Sequence, residues 1–264
     1  MAFASLRIVR AALAACVLVV LGPALSGAGL AQPVKVDHAE AELVVAANAI
    51  VPGQPLQAGL RIKHDPHWHT YWRVPGDSGL PTTINWTLPE GWRAGEIEWP
   101  VPKRLPVGPL MNFGYEGEVL LPVTLTPPAG LAAGQTVRLT ARADWLICSD
   151  VCIPGGADLA LTLPVRDSAG PSGHIALFAA TRAQIPQPLS LDAASATLDA
   201  NRIRLAFTAK SAPADLQFFP LQEARIEAAA PQVMRSEDGQ AALYLTAAQP
   251  VDPAFKTLSG VLVA

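Results

Sequence analysis

Short runs of β-favouring residues, separated by Pro and Gly, dominate the chain from about residue 36 to residue 165. Such runs are typical of β-strands, and no helical period longer than two turns interrupts them. The predicted strands are Ala41–Ala47, Leu56–Lys63, Trp68–Val74, Thr82–Leu88, Glu96–Trp99, Glu118–Leu125, Val137–Ile147 and Asp158–Val165. Strands of this number and spacing predict an all-β domain, an immunoglobulin-like β-sandwich of two packed sheets.

The pattern changes after residue 166, where Ser, Gly and Pro introduce a linker over residues 167–186. A short helix is predicted over His174–Gln184, with Ser172 as its N-cap. Further β-favouring runs follow at Ala194–Leu198, Arg202–Thr208, Leu216–Phe219, Ala224–Ala228 and Ala241–Thr246. We therefore expect a first domain over residues 32–166 and a second, smaller β-sandwich-like domain over residues 187–264. The last run, Leu258–Ala264, reads as an unfinished strand, so we expect the natural protein to continue.

The first thirty-one residues are predicted to be a signal peptide rather than part of the fold. Arg7 and Arg10 precede an apolar run from Ala11 to Leu21, and small residues follow around Gly29 and Ala31. A run of roughly eleven residues is too short for a membrane-spanning helix, which needs about 20. We expect cleavage before Gln32, export of the mature chain, and an oxidising compartment around it.

Composition excludes several classes of protein. Of the 264 residues, 50% are hydrophobic and only 16% are charged, which excludes a disordered chain or a coiled coil. The net charge is −3 and no window collects Lys and Arg into a basic stripe, so nucleic acid is not an expected partner. No phosphate loop, dinucleotide fingerprint or Ser-His-Asp order is present to support a kinase, nucleotide-binding or hydrolase function.

Two cysteines, Cys148 and Cys152, remain after the signal peptide, which contains Cys16, is removed. In one extended strand, residues four apart are about 13 Å from each other, beyond the Cα limit of about 7 Å for a disulfide. A tight hairpin with residues 149–151 as its loop would bring the two Cα atoms to about 4.5–5.5 Å. A structural disulfide and a redox-active pair both fit this spacing. A ring of about five residues stabilises a fold by only about 2 kcal/mol, which argues against a structural staple.

The charges near the two cysteines do not favour an attacking thiolate. No Lys or Arg lies within four residues of either cysteine, and Asp150 lies inside the ring. A solvent-reachable disulfide in a short ring is of the exchangeable kind. We therefore expect the oxidised pair to be attacked by the thiolate of a partner protein.

Two sets of residues resemble a known family. The segments Trp145–Cys148 and Cys152–Gly155, with Asn112–Tyr115 and Leu120–Leu125 before them, resemble the N-terminal periplasmic domain of the DsbD family of thiol:disulfide interchange proteins. The ScsB branch, linked to suppression of copper sensitivity, is more similar in the segments His67–Pro81 and Pro100–Arg104, at Trp86, and in the second β domain. The resemblance covers nearly the whole mature chain.

The resemblance implies a periplasmic protein-disulfide reductase domain within a larger enzyme, without a cofactor. Cys148 and Cys152 would take electrons from a membrane-embedded domain of the same polypeptide, absent here, and pass them to thioredoxin-like or disulfide isomerase proteins. Phe113, with Tyr115 nearby, would form the aromatic cap that shields the family's cysteines, although aromatics near Gly also fit core packing. The chain departs from the simple DsbD pattern in two places. Its inter-cysteine spacing is shorter, and it has Met111–Asn112 where the DsbD pattern has acidic residues just before the cap aromatic.

Two further sets of residues are candidates for binding. Trp68, Tyr71 and Trp145 are predicted to contact a docked partner, although tryptophans in a β-sandwich also fit its core. His67 and His69 would share one strand face, and with the cysteines and Met111 they would suit Cu(I) or Zn(II). A polar strand end explains the histidines more simply, so we assign no metal site. The alternative function is a periplasmic copper-binding or structural interaction module with a merely structural disulfide.

Overall fold

The computed structural model describes residues 32–188, 194–208, 215–237, 240–252 and 255–264. The predicted signal peptide, residues 1–31, lies outside the described residues. The strands of the first part are β1 Val34–Val36, β2 Ala39–Val45, β3 Leu56–His64, β4 His69–Gly76, β5 Thr83–Thr87, β6 Arg93–Ile97, β7 Lys103–Val107, β8 Leu110–Glu116, β9 Glu118–Thr126, β10 Thr136–Cys148 and β11 Cys152–Pro164. They are followed by helix α1 Ile175–Arg182 and by β12 Ser195–Asp199, β13 Arg202–Phe207, β14 Gln217–Pro220, β15 Val233–Glu237, β16 Gln240–Thr246 and β17 Gly260–Val263.

Strands β1 to β11 form two sheets that pack face to face. One sheet has the order β1-β2-β3-β9-β6, and the other has the order β11-β10-β4-β8-β7, with β5 paired to β10. Alternate residues of β10 are buried, as the period-two pattern of its sequence requires. Leu60, Trp72, Leu121 and Leu139 are among the fully buried side chains of the shared core. The prediction of an all-β, immunoglobulin-like architecture is confirmed.

A hairpin formed by β7 and β8 is absent from the predicted elements. Pro106 in β7 and the pair Gly108–Pro109 in the turn are residues that weaken a strand pattern. The hairpin forms because β8 pairs with β4, where His69 is opposite Glu116 and Tyr71 is opposite Gly114. Phe113 and Tyr115, predicted to form an aromatic cap, therefore lie within a paired strand.

Helix α1 confirms the predicted helix, but Ser172 is not its N-cap. The N-cap residue is His174, whose backbone N–H donates to Ser172 Oγ at 3.0 Å. The Ser172 hydroxyl in turn donates to the carbonyl of Val45. Phe178 packs against the first part of the chain, in a small cluster with Val44 and Leu120. Within the described residues, no helix is both long enough and apolar enough to span a membrane.

The second part of the chain is also built from strands. A sheet of order β12-β13-β16-β15 and the two-stranded sheet β14-β17 enclose a core that includes Ile203, Leu243 and Leu245. The predicted strand Ala224–Ala228 is wrong: the segment is mostly turn, with a single bridge from Ile226 to Ala247. The predicted boundaries of this domain, residues 187 and 264, stay predictions.

Strand β14 contributes to both cores. Consecutive side chains of a strand point to opposite faces, so Phe218 packs with Ile203 and Leu243 while Phe219 packs into the core of the first two sheets. Val261, opposite Phe219 on β17, lies on the same side as Phe219. The two-stranded sheet therefore forms a layer between the two cores.

Candidate functional site

The two cysteines lie at the tip of the hairpin formed by β10 and β11. Cys148 ends β10, Cys152 begins β11, and the two residues are directly opposite each other in the register. They form a disulfide with their Cα atoms 4.1 Å apart. The loop between them is closed by a hydrogen bond from the Ser149 backbone N–H to the Val151 carbonyl, at 3.0 Å. The predicted hairpin arrangement of the pair is confirmed.

The two cysteines differ in exposure. Cys148 is only 1% exposed and is opposite His69 of β4, whereas Cys152 is exposed. The difference arises because β10 has a neighbour on each side at this point, whereas β11 is the last strand of its sheet in the described residues. A thiolate arriving from solvent therefore reaches Cys152 more readily than Cys148.

A buried group of polar side chains approaches the disulfide from β4 and β8. The Tyr71 hydroxyl lies 3.6 Å from Cys152 Sγ, and Asn112 Nδ2 lies 3.4 Å from that hydroxyl. Asn112 Nδ2 is also 3.4 Å from His69 Nε2, and the Ser78 hydroxyl donates to Asn112 Oδ1 at 2.9 Å. Tyr71, Asn112 and His69 are each less than 5% exposed. These contacts connect Cys152 to side chains on two strands and a loop.

The directions of these hydrogen bonds follow from the Asn112 amide. Its oxygen accepts from Ser78, and its nitrogen has only hydrogens to offer, so it donates to Tyr71 and to an unprotonated Nε2 of His69. Burial lowers the pKa of His69, which favours this neutral imidazole, although Glu116 opposes the shift. Because the Tyr71 oxygen accepts from Asn112, its own hydrogen is available to the sulfur of Cys152.

A turn after β4 covers the Tyr71 ring. Gly79 has a φ of +102°, and a Cβ at this position would lie 2.2 Å from a ring carbon of Tyr71, so the backbone packs directly on the ring. Burial raises the pKa of the Tyr71 hydroxyl, while the nearby Ser78 opposes that shift. Leu80, the next residue, is 65% exposed, and Val151 between the cysteines is 60% exposed. Exposed apolar side chains therefore lie on both the turn and the cysteine loop.

The predicted cap residues both lie in β8 and are buried. Phe113 is fully buried, with its ring 5.1 Å from that of Phe219 in an edge-on contact. Tyr115 is also buried, and its hydroxyl donates to the carbonyl of Pro100 at 2.7 Å. Burial raises the pKa of Tyr115 well above its usual value. The aromatic group in contact with the disulfide is Tyr71, and a cap role for Phe113 and Tyr115 stays a prediction.

The predicted docking residues divide into one surface residue and two buried ones. Trp68 is partly exposed and its ring is stacked on His38, with centroids 3.7 Å apart. Trp145 is buried in the sandwich core, whereas Tyr71 is buried beside the disulfide. A groove of about 580 Å³ next to the cysteine loop is lined by Trp68, Ser149 and Asp150, among others. Of the three residues, Trp68 is partly exposed and lines this groove, and a docking role for the three residues stays a prediction.

The histidines considered for copper occupy different surroundings. His69 is buried and engaged by Asn112, whereas His67 is exposed with a φ of +70°. In the described ranges, no three His, Cys, Asp or Glu side chains are close enough together to hold a metal ion.

The sequence analysis missed Ser78, Leu80 and the hydrogen-bonding role of Asn112. In the sequence, Asn112 stands out only as part of a segment that resembles the family and as a departure from the family's pattern. The Gly-Asp-Ser-Gly run at residues 76–79 is a strong turn signal directly after a strand, and it marks a return of the chain over that strand.

Comparisons with known proteins relate this geometry to one family. The family described as "Thiol:disulfide interchange protein DsbD, N-terminal" matches residues 38–164. The solved N-terminal periplasmic domain of ScsB from Proteus mirabilis is 19% identical, with a TM-score of 0.63 over 89% of this chain and 92% of that chain. At this identity the ScsB similarity establishes the fold alone.

A second solved structure is a much weaker match. It is the sporulation control protein Spo0M from Bacillus subtilis, at 10% identity and a TM-score of 0.25 over 86% of this chain and 91% of that chain. A TM-score this low supports no argument. No curated protein matches the sequence.

Proposed function

We propose that this chain, whose residues 38–164 belong to the family of DsbD N-terminal domains, exchanges electrons with partner proteins through Cys148 and Cys152. The observation that carries the proposal is the disulfide at a hairpin tip, with one sulfur on a buried residue and the other on an exposed one. A disulfide that a partner thiolate reaches without unfolding of the protein is suited to exchange rather than to structural support.

The exchange is a pair of thiol–disulfide substitutions. A thiolate of the electron donor attacks Cys152 Sγ, a new S–S bond forms, and Cys148 leaves as a thiolate that takes up a proton. A second donor thiolate then attacks the donor sulfur of the mixed disulfide and releases Cys152. The donor ends as a disulfide, the pair ends as a dithiol, and two electrons and two protons have been transferred. The same steps in reverse reduce an acceptor disulfide.

The exposure of Cys152 and the contact of its sulfur with the Tyr71 hydroxyl support Cys152 as the cysteine that the donor thiolate attacks first. Its neighbour Val151 and the nearby Leu80 present apolar side chains that an approaching protein buries, which favours docking by the hydrophobic effect. The groove beside Trp68 and the cysteine loop provides a second contact area. Small thiols need none of these contacts, so docking distinguishes a protein partner from a small reductant.

The match to the DsbD N-terminal family supports a proposal for the partners and the compartment. The electron donor is a membrane-embedded domain, and the acceptors are thioredoxin-like or disulfide isomerase proteins of the periplasm. The chain then acts as one part of a protein-disulfide reductase, exported by its N-terminal segment. The similarity to a periplasmic domain of ScsB supports this location.

The reduction potential of the pair tests the proposal. The chain is equilibrated in graded thiol buffers, alkylated and weighed, and circular dichroism is recorded to show that it stays folded. Reversible reduction well above roughly −300 mV, below which structural disulfides typically fall, supports electron exchange. A disulfide that is reduced only when the protein unfolds means that the pair is a structural staple.

A further inference from the structure

The core of the first sandwich is completed by a residue from the C-terminal strands. Phe219 of β14 is 1% exposed, and its ring lies edge-on to Phe113 at 5.1 Å and to Trp72 at 6.1 Å. The sequence analysis assigned Phe219 to a separate domain and gave it no role. Its position connects the C-terminal strands to the two strands, β4 and β8, that also carry Tyr71 and Asn112.

A second contact reaches the same hairpin. Arg104 of β7 is directly opposite Phe113 in the β7–β8 register. Its guanidinium donates from Nη2 to the carbonyl of Ala228 at 2.8 Å and to that of Ala230 at 3.4 Å. Burial lowers the pKa of Arg104, which the charge of Asp77 opposes. The hairpin is thus held from the C-terminal part by an aromatic contact and by two hydrogen bonds.

Phe113 and Asn112 are consecutive residues on opposite faces of β8. The Phe113 face packs on Phe219, and the Asn112 face carries the hydrogen bonds to Tyr71 and Ser78. A strand that shifts or rotates moves both faces together, because the side chains share one backbone. At 3.4 Å, the hydrogen bonds from Asn112 to Tyr71 and His69 are already longer than the usual range of about 2.7–3.2 Å, so a small movement of β8 breaks them.

We propose that Phe219 is a positioning residue for the redox pair: it holds β8 so that Asn112 keeps the Tyr71 hydroxyl directed at Cys152. The inference rests on the proposed function and gives the C-terminal strands a part in it. In the reduced state, the Tyr71 hydroxyl donates to Cys152 Sγ when that thiol ionises. A hydrogen bond to a charged sulfur stabilises the charge. Loss of the Phe219 contact therefore makes the Cys152 thiol harder to ionise.

The test compares Phe219→Ala with Phe218→Ala in the full chain. The two residues are adjacent in β14 and similarly buried, but Phe218 packs in the second core and does not share the ring contact with Phe113. The disulfide is reduced, and the rate of Cys152 alkylation by iodoacetamide is measured against pH, with peptide masses to identify the cysteine. Tyr71→Phe and the double variant Tyr71→Phe/Phe219→Ala are measured alongside.

We expect the midpoint of the alkylation profile to rise by about 0.5–1 pH unit in Tyr71→Phe and in Phe219→Ala, the range that one hydrogen bond supports. Phe218→Ala should leave the midpoint unchanged. The double variant should shift no more than Tyr71→Phe alone, because Phe219 acts through Tyr71. The other titratable or charged groups around the network, His69, Asp77, Arg104, Glu116 and Asp150, are retained in these four variants, so their contribution is common to all four.

Equal midpoints in Phe219→Ala and Phe218→Ala overturn the inference, and so do additive shifts in the double variant or an unshifted midpoint in Tyr71→Phe. A disulfide that cannot be reduced in the folded wild type overturns the proposed function and this inference together. A reducible pair with an unchanged Phe219→Ala midpoint overturns the inference alone.

Two milder variants guard against an unfolded Phe219→Ala protein. Phe219→Leu keeps an apolar contact with Phe113 and should give a smaller shift than Ala. Arg104→Met keeps the packing of the side-chain stem but removes both hydrogen bonds to the turn at residues 228–230, so it should raise the midpoint in the same direction. If both fold and neither moves the midpoint, the positioning role is refuted.

Discussion

The Tyr71 hydroxyl lies 3.6 Å from Cys152 Sγ, although Tyr71 is on β4 and Cys152 is on β11, and β10 lies between these strands in the sheet. Tyr71 was expected on a docking surface, yet its side chain is buried beneath the turn that contains Gly79. The contact places a protein hydroxyl within hydrogen-bonding distance of the Cys152 sulfur. The reactivity of Cys152 therefore depends on the backbone that positions Tyr71.

Replacing either cysteine by Ser should abolish thiol exchange and destabilise the fold by less than about 3 kcal/mol, because the ring closed by the disulfide is short. The two variants should differ in reactivity. In Cys148→Ser the exposed Cys152 should attack oxidised glutathione and form a stable mixed disulfide, releasing one glutathione thiol, whereas the buried Cys148 of Cys152→Ser should react far more slowly. Mass spectrometry after incubation with oxidised glutathione and urea unfolding measure both effects. Equal reaction rates in the two variants would contradict the assigned order of attack.

Gly79→Ala should destabilise the protein by about 2–4 kcal/mol. A positive φ accounts for about 1–2 kcal/mol of this, and the remainder comes from displacement of the Tyr71 ring by the new methyl group. Gly108→Ala is the matched control, because Gly108 also has a positive φ but has open space around it. The control should lose only about 1–2 kcal/mol in urea unfolding. Equal losses in both variants would show that the Tyr71 ring does not resist the methyl group.

Acid should destabilise the fold through His64. Burial lowers the pKa of His64 to about 4, against the opposing effect of its hydrogen bond to the Gly117 carbonyl. The unfolded chain takes up this proton near pH 6.5, so stability is full above pH 6.5 and falls as the pH drops from 6.5 to about 4. The expected loss from this group is about 1–3 kcal/mol, since His64 is partly exposed to solvent.

Urea unfolding at pH 7, 5.5 and 4 measures that loss, with His64→Gln as the variant in which it should be smaller. His67→Asn is the control, because His67 is exposed and Asn tolerates its positive φ. If His64→Gln loses stability with pH as steeply as the wild type, another group is responsible.

Val151→Asp and Leu80→Asp should weaken exchange with a protein partner while leaving exchange with dithiothreitol within about twofold of the wild type. A charge on either side chain must be desolvated when a protein covers the cysteine loop, whereas a small thiol needs no such burial. Ile175→Asp, a change at a similarly exposed apolar residue of α1, is the control and should affect neither reaction. Stopped-flow measurements with a thioredoxin-like protein and with dithiothreitol give the two rates. A parallel loss with both reductants would mean that the aspartates alter the disulfide itself.

Much of the first sandwich was predictable because its signals are local. Alternation in β3 and β10 matches one buried face for each strand, and the predicted runs overlap these strands and β9 closely. The hairpin of β7 and β8 was not predictable from its own residues, since Pro106 and Gly108 oppose a strand pattern. It forms through pairing with β4, which is distant in sequence.

The sequence by itself determined the fold class, the signal-like segment and the pairing of Cys148 with Cys152, because periodicity and a three-residue loop act over a few neighbouring residues. Tertiary structure decided what surrounds the pair. Tyr71 and Asn112 meet beside Cys152 only through the register of four strands, β8, β4, β10 and β11, and Phe113 is buried because Phe219 reaches it from the C-terminal strands. Such contacts join residues far apart in the chain, and their geometry is set by how whole sheets pack rather than by any local pattern.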